Sequence, residues 1–307
     1  MIIKIKRTIL ISMAIASSFM SSGLFAQAKI STGKGNFIFR DQKGDKSKSI
    51  KVYYYAPKKL NANSRIVFVL HGIARSGVSY RDRWIKHADK YNFLVLCPEF
   101  SEQDYPGFWG YHFGNMYDSK EKMFIEKNKW GFSVIERLFD YVKESAELRI
   151  ENYCIFGHSA GAQFVHRMII FLPEARTSLA IAANAGCYTM PDFDTTFCFG
   201  LKNTAVTKES LKKAFKKNLI IMLGKKDIIP RDETESERKQ GKHRLEKGFN
   251  FLKMSKAQAE SMNAQLNWRT KTIAGAGHNS PKLSEAASRL FAKSRKKLPT
   301  RQVKNSQ

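Results

Sequence analysis

Residues 153–165 read Tyr153-Cys154-Ile155-Phe156-Gly157-His158-Ser159-Ala160-Gly161-Ala162-Gln163-Phe164-Val165. Tyr153 to Phe156 has the length and apolarity of a buried strand, and a helical pattern opens at Ala160 and runs to Phe171. Between them stands Gly157-x-Ser159-x-Gly161, a serine at a tight strand-to-helix turn with a glycine on each flank. Such a turn forces the serine into a strained backbone and lifts its hydroxyl clear of the sheet, and the glycines leave room for it. The helix start behind Ser159 favours negative charge developing there. A serine that merely caps the helix is the alternative use of the same residue.

Working outward, short apolar runs alternate with longer helical patterns, the mark of a sheet with crossover helices. Gly35 to Arg40 and Ile50 to Tyr55 read as a hairpin across Gln42-Lys43-Gly44-Asp45. Further strands are expected at Ile66 to Leu70, Phe93 to Cys97, Tyr153 to Phe156, Leu179 to Ala183, Leu219 to Leu223 and Leu266 to Ile273. Helices are expected over Ser79 to Lys90, Gly131 to Leu148, Ala160 to Phe171, Lys208 to Lys217, Leu245 to Gln265 and Pro281 to Lys297. In the second of these, Val134, Ile135, Leu138, Phe139 and Val142 recur at three- and four-residue steps and form one buried stripe. The alternation fits one α/β domain over residues 29–298.

A serine hydroxyl is a weak nucleophile until a base takes its proton, and that base needs a carboxylate to hold its tautomer. Leu219 to Leu223 ends in Gly224-Lys225-Lys226-Asp227, which puts Asp227 just past the carboxyl end of a strand, where sites gather in open α/β sheets. Asp227 is the expected acid, with Asp192, Asp194 and Asp232 as alternatives. After the last strand comes Ala274-Gly275-Ala276-Gly277-His278, and His278 is the expected base. The order Ser159, Asp227, His278 is the order this architecture requires. Acyl transfer also needs amides aimed at the tetrahedral oxyanion. The amide of Ala160 suits, and the loop His71-Gly72-Ile73-Ala74 offers a second donor, Ile73 in preference to Ala74. His71 and His158 read as packed structural histidines. His87, His112, His166 and His243 share no ligand spacing, so no metal and no cofactor is expected.

The chain has 307 residues with 43% apolar and 26% charged residues, which excludes a disordered chain. Its formal net charge is +26, a field that draws anions. Lys4, Lys6 and Arg7, then a largely apolar stretch from Thr8 to Met20, then Ala26-Gln27-Ala28 predict a signal peptide over residues 1–28 and a periplasmic or secreted chain. Ser12, Ser17, Ser18, Ser21 and Ser22 interrupt that stretch, so a spanning anchor is not expected. The leader carries only three cations, so the positive balance persists without it. Lysines along Lys208 to Lys217 and the basic tail, residues 299–307 with the cations before it, read as solvated faces or as loose contact with an anionic envelope surface. With no reading motif in an exported chain, nucleic acid is not an expected partner.

Strand-His71-Gly72, strand-Gly157-His158-Ser159-Ala160-Gly161-helix, strand-Gly224-x-x-Asp227 and strand-Gly275-Ala276-Gly277-His278, in this order, resemble the α/β-hydrolase superfamily of serine hydrolases. The likeness spans about residues 35 to 298. The overall layout and the segment Ala183-Asn184-Ala185-Gly186-Cys187-Tyr188-Thr189-Met190-Pro191 are most similar to secreted esterases of the polyhydroxybutyrate depolymerase and feruloyl esterase-like type. The resemblance implies a three-layer fold with a mostly parallel eight-stranded sheet and helices on both faces. It implies a serine esterase acting on a small-molecule or polymeric ester, with a peptidase or amidase on the same scaffold and a non-catalytic envelope binder as alternatives. It also implies that the strand of Ile66 to Leu70 lies between those of Cys97 and Cys154, too far apart to bridge.

Cys187 and Cys198 flank a turn-rich segment, and a disulfide there would staple a loop. The long connection from Phe100 to Asp118 is crowded with aromatics, either a loop over the site or a satellite cluster beneath one. Trp109, Tyr188 and Met190 are the expected substrate-facing side chains. The segment Gln240-Gly241-Lys242-His243-Arg244-Leu245 has no readable role.

Overall fold

The computed structural model describes residues 28–230 and 233–294. The chain begins with two antiparallel strands, β1 (Gly33–Arg40) and β2 (Ser49–Ala56), and continues through β3 (Arg65–Leu70), α1 (Gly77–Tyr91) and β4 (Phe93–Glu99). The aromatic connection that follows holds a single helical turn, α2 (Gly107–Gly110), and a small hairpin, β5 (Tyr117–Asp118) with β6 (Met123–Phe124). Then come α3 (Gly131–Ser145), β7 (Tyr153–His158), α4 (Ala160–Phe171), β8 (Thr177–Ala183), α5 (Lys208–Phe215) and β9 (Leu219–Gly224). The chain closes with α6 (Glu235–Arg238), α7 (Arg244–Ser261), β10 (Arg269–Ile273) and α8 (Pro281–Ser294).

Eight strands form one sheet in the order β1-β2-β4-β3-β7-β8-β9-β10, antiparallel at β1, β2 and β4 and parallel from β4 to β10. Side chains alternate across a strand, so each central strand feeds two cores. Ile66, Phe68 and Leu70 of β3 pack with α3, α4, α5 and α7 on one face, and Val67 and Val69 pack with α1 and α8 on the other. Burial on both faces explains why β3, β7 and β9 read as unbroken apolar runs. Helix α4 is enclosed on almost every side, and Gln163 alone among its residues is not buried.

Several boundaries differ from the sequence reading by one to four residues, most of all between α7 and β10. Helix α7 stops at Ser261 and β10 starts at Arg269. The intervening Trp268 is buried edge-on against Phe215, and Asn267 N–H donates to the Phe215 carbonyl, which holds this stretch out of the ladder. Strand β3 does lie between the strands of Cys97 and Cys154. The expected staple is a correction: Cys187 and Cys198 are free thiols, as are Cys97 and Cys154. Cys187 turns toward α4, where its Sγ donates to Gln163 Oε1 at 3.2 Å. The predicted leader up to Gln27 and the basic tail, residues 299–307, lie outside the described residues. Among the described residues no helix is long and apolar enough to cross a membrane.

Candidate active site

Ser159 sits between β7 and α4 with φ 56° and ψ −112°, a left-handed conformation that costs a non-glycine residue on the order of 1–3 kcal/mol. The flanking glycines make it possible. A Cβ at Gly157 would lie 2.1 Å from the Gly161 carbonyl oxygen, and one at Gly161 would lie 2.5 Å from the Leu70 carbonyl oxygen. Ser159 N–H donates to Ala183 O of the neighbouring strand at 2.9 Å, which pins the turn to β8.

The loops after β9 and β10 bring two further side chains to this turn. His278 Nε2 lies 3.2 Å from Ser159 Oγ, and His278 Nδ1 lies 2.9 Å from Asp227 Oδ2. A carboxylate only accepts, so Nδ1–H donates to Asp227 and Nε2 is left to accept the serine proton. Asp227 is 2% exposed. Burial works against its charge, yet the His278 hydrogen bond and charge and the Arg244 guanidinium outweigh burial and hold the carboxyl below its ordinary value. Of the other acids considered, Asp192 accepts from Asp194 N–H and the Thr195 hydroxyl in a local turn, Asp194 is exposed, and Asp232 lies outside the described residues.

Two side chains fix the loop that carries His278. His158 Nε2 donates to the His278 carbonyl at 2.7 Å, which leaves Nδ1 to accept from Tyr80 Oη at 2.7 Å. Burial, with the nearby charge of His278, pushes His158 down to about 4, so the ring is neutral near pH 7. Asn184, fully buried just past β8, accepts from Gly224 N–H at 2.8 Å through Oδ1. Its Nδ2 donates to the carbonyls of Gly277 and His278 at 3.3 and 3.2 Å. One amide thus ties the loop of Asp227 to the loop of His278.

The loop after β3 passes beside Ser159. A Cβ at Gly72 would lie 3.0 Å from Tyr80 Oη and 3.8 Å from Ser159 Cβ, so only a bare backbone fits comfortably. Ile73 follows it with an exposed side chain, and the amides of Ile73 and Ala160 have no acceptor among the described residues. His71 supports the loop from below: Nδ1 donates to Gly72 O at 2.9 Å and Nε2 accepts from Phe100 N–H at 3.1 Å. Burial pushes His71 down to about 4, which keeps that acceptor free of a proton. The Tyr111 ring lies tilted against His71 at 4.4 Å, and its hydroxyl donates to the His71 carbonyl. Arg75 gathers the carbonyls of Phe100, Tyr105 and Gly107. Much of the aromatic connection therefore props this loop from underneath.

The expected substrate-facing residues are placed otherwise. Tyr188 is fully buried and stacked on Phe251 at 4.6 Å, and Met190 is 7% exposed in the same core, because the chain after β8 turns inward. Trp109 is half-buried against Phe113, Tyr117 and Phe197. The exposed apolar side chains on the loops beyond β3, β4 and β9 are Ile73, expected for its amide, Phe108 of the aromatic connection, and Ile228 and Ile229, which the sequence reading did not reach. Sequence reading also missed Arg244, whose Nη1 donates to Asp227 Oδ1 at 3.1 Å. Lys247, one turn on, forms a buried ion pair with Glu233 and donates to Gly186 O. Among the described residues no group of three or more His, Cys, Asp or Glu is placed to hold a metal ion.

No family model matches the sequence, and no curated protein matches it. Solved structures do. Poly(aspartic acid) hydrolase-1 from Sphingomonas sp. KT-1 is 37% identical with a TM-score of 0.81, the match covering 85% of this chain and 99% of that one. The poly(3-hydroxybutyrate) depolymerase LpqC from Bordetella parapertussis is 26% identical with a TM-score of 0.82, covering 88% and 92%. An S-formylglutathione hydrolase from Agrobacterium tumefaciens, 15% identical with a TM-score of 0.57 over 88% of this chain and 98% of that one, shares the fold. With an eight-stranded, mostly parallel sheet flanked by helices and a relative this similar along nearly its whole length, the chain belongs to the α/β-hydrolase superfamily and is a hydrolase.

Proposed function

We propose that this hydrolase cleaves carboxylic esters through an acyl-enzyme formed on Ser159. One observation carries the reading: a hydroxyl, an imidazole and a carboxylate in series at 3.2 and 2.9 Å. In this scheme Ser159 Oγ attacks the ester carbonyl as His278 Nε2 takes its proton, and Asp227 stabilises the imidazolium that forms. The Ile73 and Ala160 amides receive the oxyanion. His278 then protonates the departing alcohol, and water activated by the same imidazole releases the acid. The imidazole acts as base in its neutral form. Residues 29–298 act as one domain, exported by the leader at residues 1–28, and the cationic surface loosely contacts an anionic envelope.

The test is labelling by a fluorophosphonate followed by p-nitrophenyl acetate hydrolysis. An adduct on Ser159 in the wild type, and Ser159→Ala that melts normally but neither labels nor turns over, supports the reading. A Ser159→Ala variant with near-wild-type rate refutes it. A second reading, cleavage of amide bonds in a polyanionic chain, is favoured by the net charge of +26 and by the 37% identity to a poly(aspartic acid) hydrolase. Release of new amines from poly(aspartate), against release of acid from neutral esters, separates the two.

A further inference from the structure

We propose that Arg244 is a positioning residue for this reaction: by holding Oδ1 of Asp227 it aims Oδ2 at His278 and offsets part of the negative charge that the imidazole feels. The inference rests on the Ser159, His278, Asp227 reading above. The Asp227 carboxylate is shared between two donors, His278 Nδ1 on Oδ2 at 2.9 Å and Arg244 Nη1 on Oδ1 at 3.1 Å. The two side chains of the ion pair are 2% and 11% exposed, so bulk water and salt screen them little.

Helix stability does not explain this arginine. Arg244 is the first residue of α7, directly after its cap His243, where the helix dipole favours an acid and disfavours a cation. The segment around it is held firmly nonetheless. Gln240 exchanges two hydrogen bonds with the Tyr188 backbone, Asn250 Nδ2 donates to the Gln240 carbonyl, and Lys247 pairs with Glu233 beneath the surface. A rigid frame thus delivers one guanidinium to one carboxylate oxygen.

Other titratable groups face the pair. They are His158, its ring 4.8 Å from that of His278; Arg83 of α1, close enough to act on His158; the buried Tyr188 phenol; and Lys226 beside Asp227 in the chain. Of these, Arg83 and Lys226 are exposed and carry charge that solvent screens. The guanidinium is the cation in contact with the carboxylate. Removing it exposes the imidazole to a fuller negative charge, so the ring keeps its proton to higher pH and acts as a base only above that pH.

The experiment is kcat/KM for p-nitrophenyl acetate from pH 5 to 9 on the full chain, for wild type, Arg244→Gln and Arg244→Lys, with melting curves and fluorophosphonate labelling alongside. Arg244→Gln is expected to move the acidic limb up by about one pH unit, the size of a unit charge several ångströms from the ring in a partly solvated site. Its plateau should fall about tenfold through lost aim of the carboxylate. Arg244→Lys keeps the charge, so its limb should coincide with wild type while its shorter reach toward Asp227 Oδ1 lowers its plateau. A limb for Arg244→Gln that superimposes on wild type, with labelling intact, overturns the inference and leaves the triad reading standing. Should Arg244→Gln not fold, Arg244→Lys decides alone: a plateau equal to wild type overturns it, and a lower plateau with an unmoved limb supports it. Absence of labelling in the wild type overturns the triad reading first.

Discussion

Replacing Asn184 tests whether one buried amide holds the site together. Asn184→Gly keeps the backbone easy at φ 51° and removes three hydrogen bonds. The Gly224 N–H is left buried without its acceptor, at a penalty of about 1–3 kcal/mol. The bonds to the Gly277 and His278 carbonyls are longer, and losing them adds roughly 0.5 kcal/mol each. The His278 carbonyl keeps His158 as a donor. The total, about 2–4 kcal/mol, corresponds to a fall in Tm of roughly 5–15 °C for a chain of this size. Because the loops of both Asp227 and His278 loosen, kcat should fall about 10- to 100-fold. Asn184→Asp sharpens the test. Its carboxyl can accept from Gly224 N–H, but when ionised it faces two carbonyl oxygens in a dry site, so its pKa in the fold rises above the unfolded value. Only the protonated form replaces the lost donor, so stability is present at low pH and lost as the pH rises through that raised value. Differential scanning fluorimetry from pH 4.5 to 8.5, with p-nitrophenyl acetate turnover alongside, should show a deficit against wild type that widens with pH. An Asn184→Gly variant that melts within about 2 °C of wild type at full turnover would show that the tie does not matter.

Three further outcomes are expected. Lys247→Met removes the buried ammonium that pairs with Glu233 and should lose about 1.5–3 kcal/mol by urea titration, with Glu233→Gln in the same chain recovering part of it. His71, His158 and His112 are pushed by burial to about 4, 4 and 3, so each takes up a proton on unfolding as the pH falls below about 6.5; the urea midpoint should drop between pH 6.5 and 4, and a flat midpoint would contradict their neutrality. Gly161→Ala drives a methyl to 2.5 Å from the Leu70 carbonyl and should abolish fluorophosphonate labelling; a soluble variant that labels at the wild-type rate would show that the turn has slack.

The strands, the two cores and the three side chains that meet at Ser159 were legible because each depends on local signals: apolar runs of strand length, a glycine-flanked serine, and an acid and a histidine just past strand ends. What escaped depends on where distant segments meet. Asn184 lies in a stretch whose composition said nothing of three loops converging on one side chain. Arg244 left a faint trace, since Arg244 and Lys247 place two cations one turn apart at a helix start that ordinarily prefers acids. Tyr188 and Met190 follow a strand end, a position shared by residues that face a cleft and residues that turn back into the core. Phe108 and Trp109 are neighbours on one loop, and packing of Trp109 against Phe113 and Tyr117 leaves Phe108 outside.

Cys97 and Cys154 sit on β4 and β7, fully buried beneath the layer of α1 and α8, with burial raising both thiols above their ordinary range. Alkylating reagents attack thiolates, so neither sulfur reacts while those helices lie on the sheet. With reagent in excess, the pace of modification at each position becomes a stopwatch for how often that layer lifts, one on either side of β3, with no label engineered into the chain.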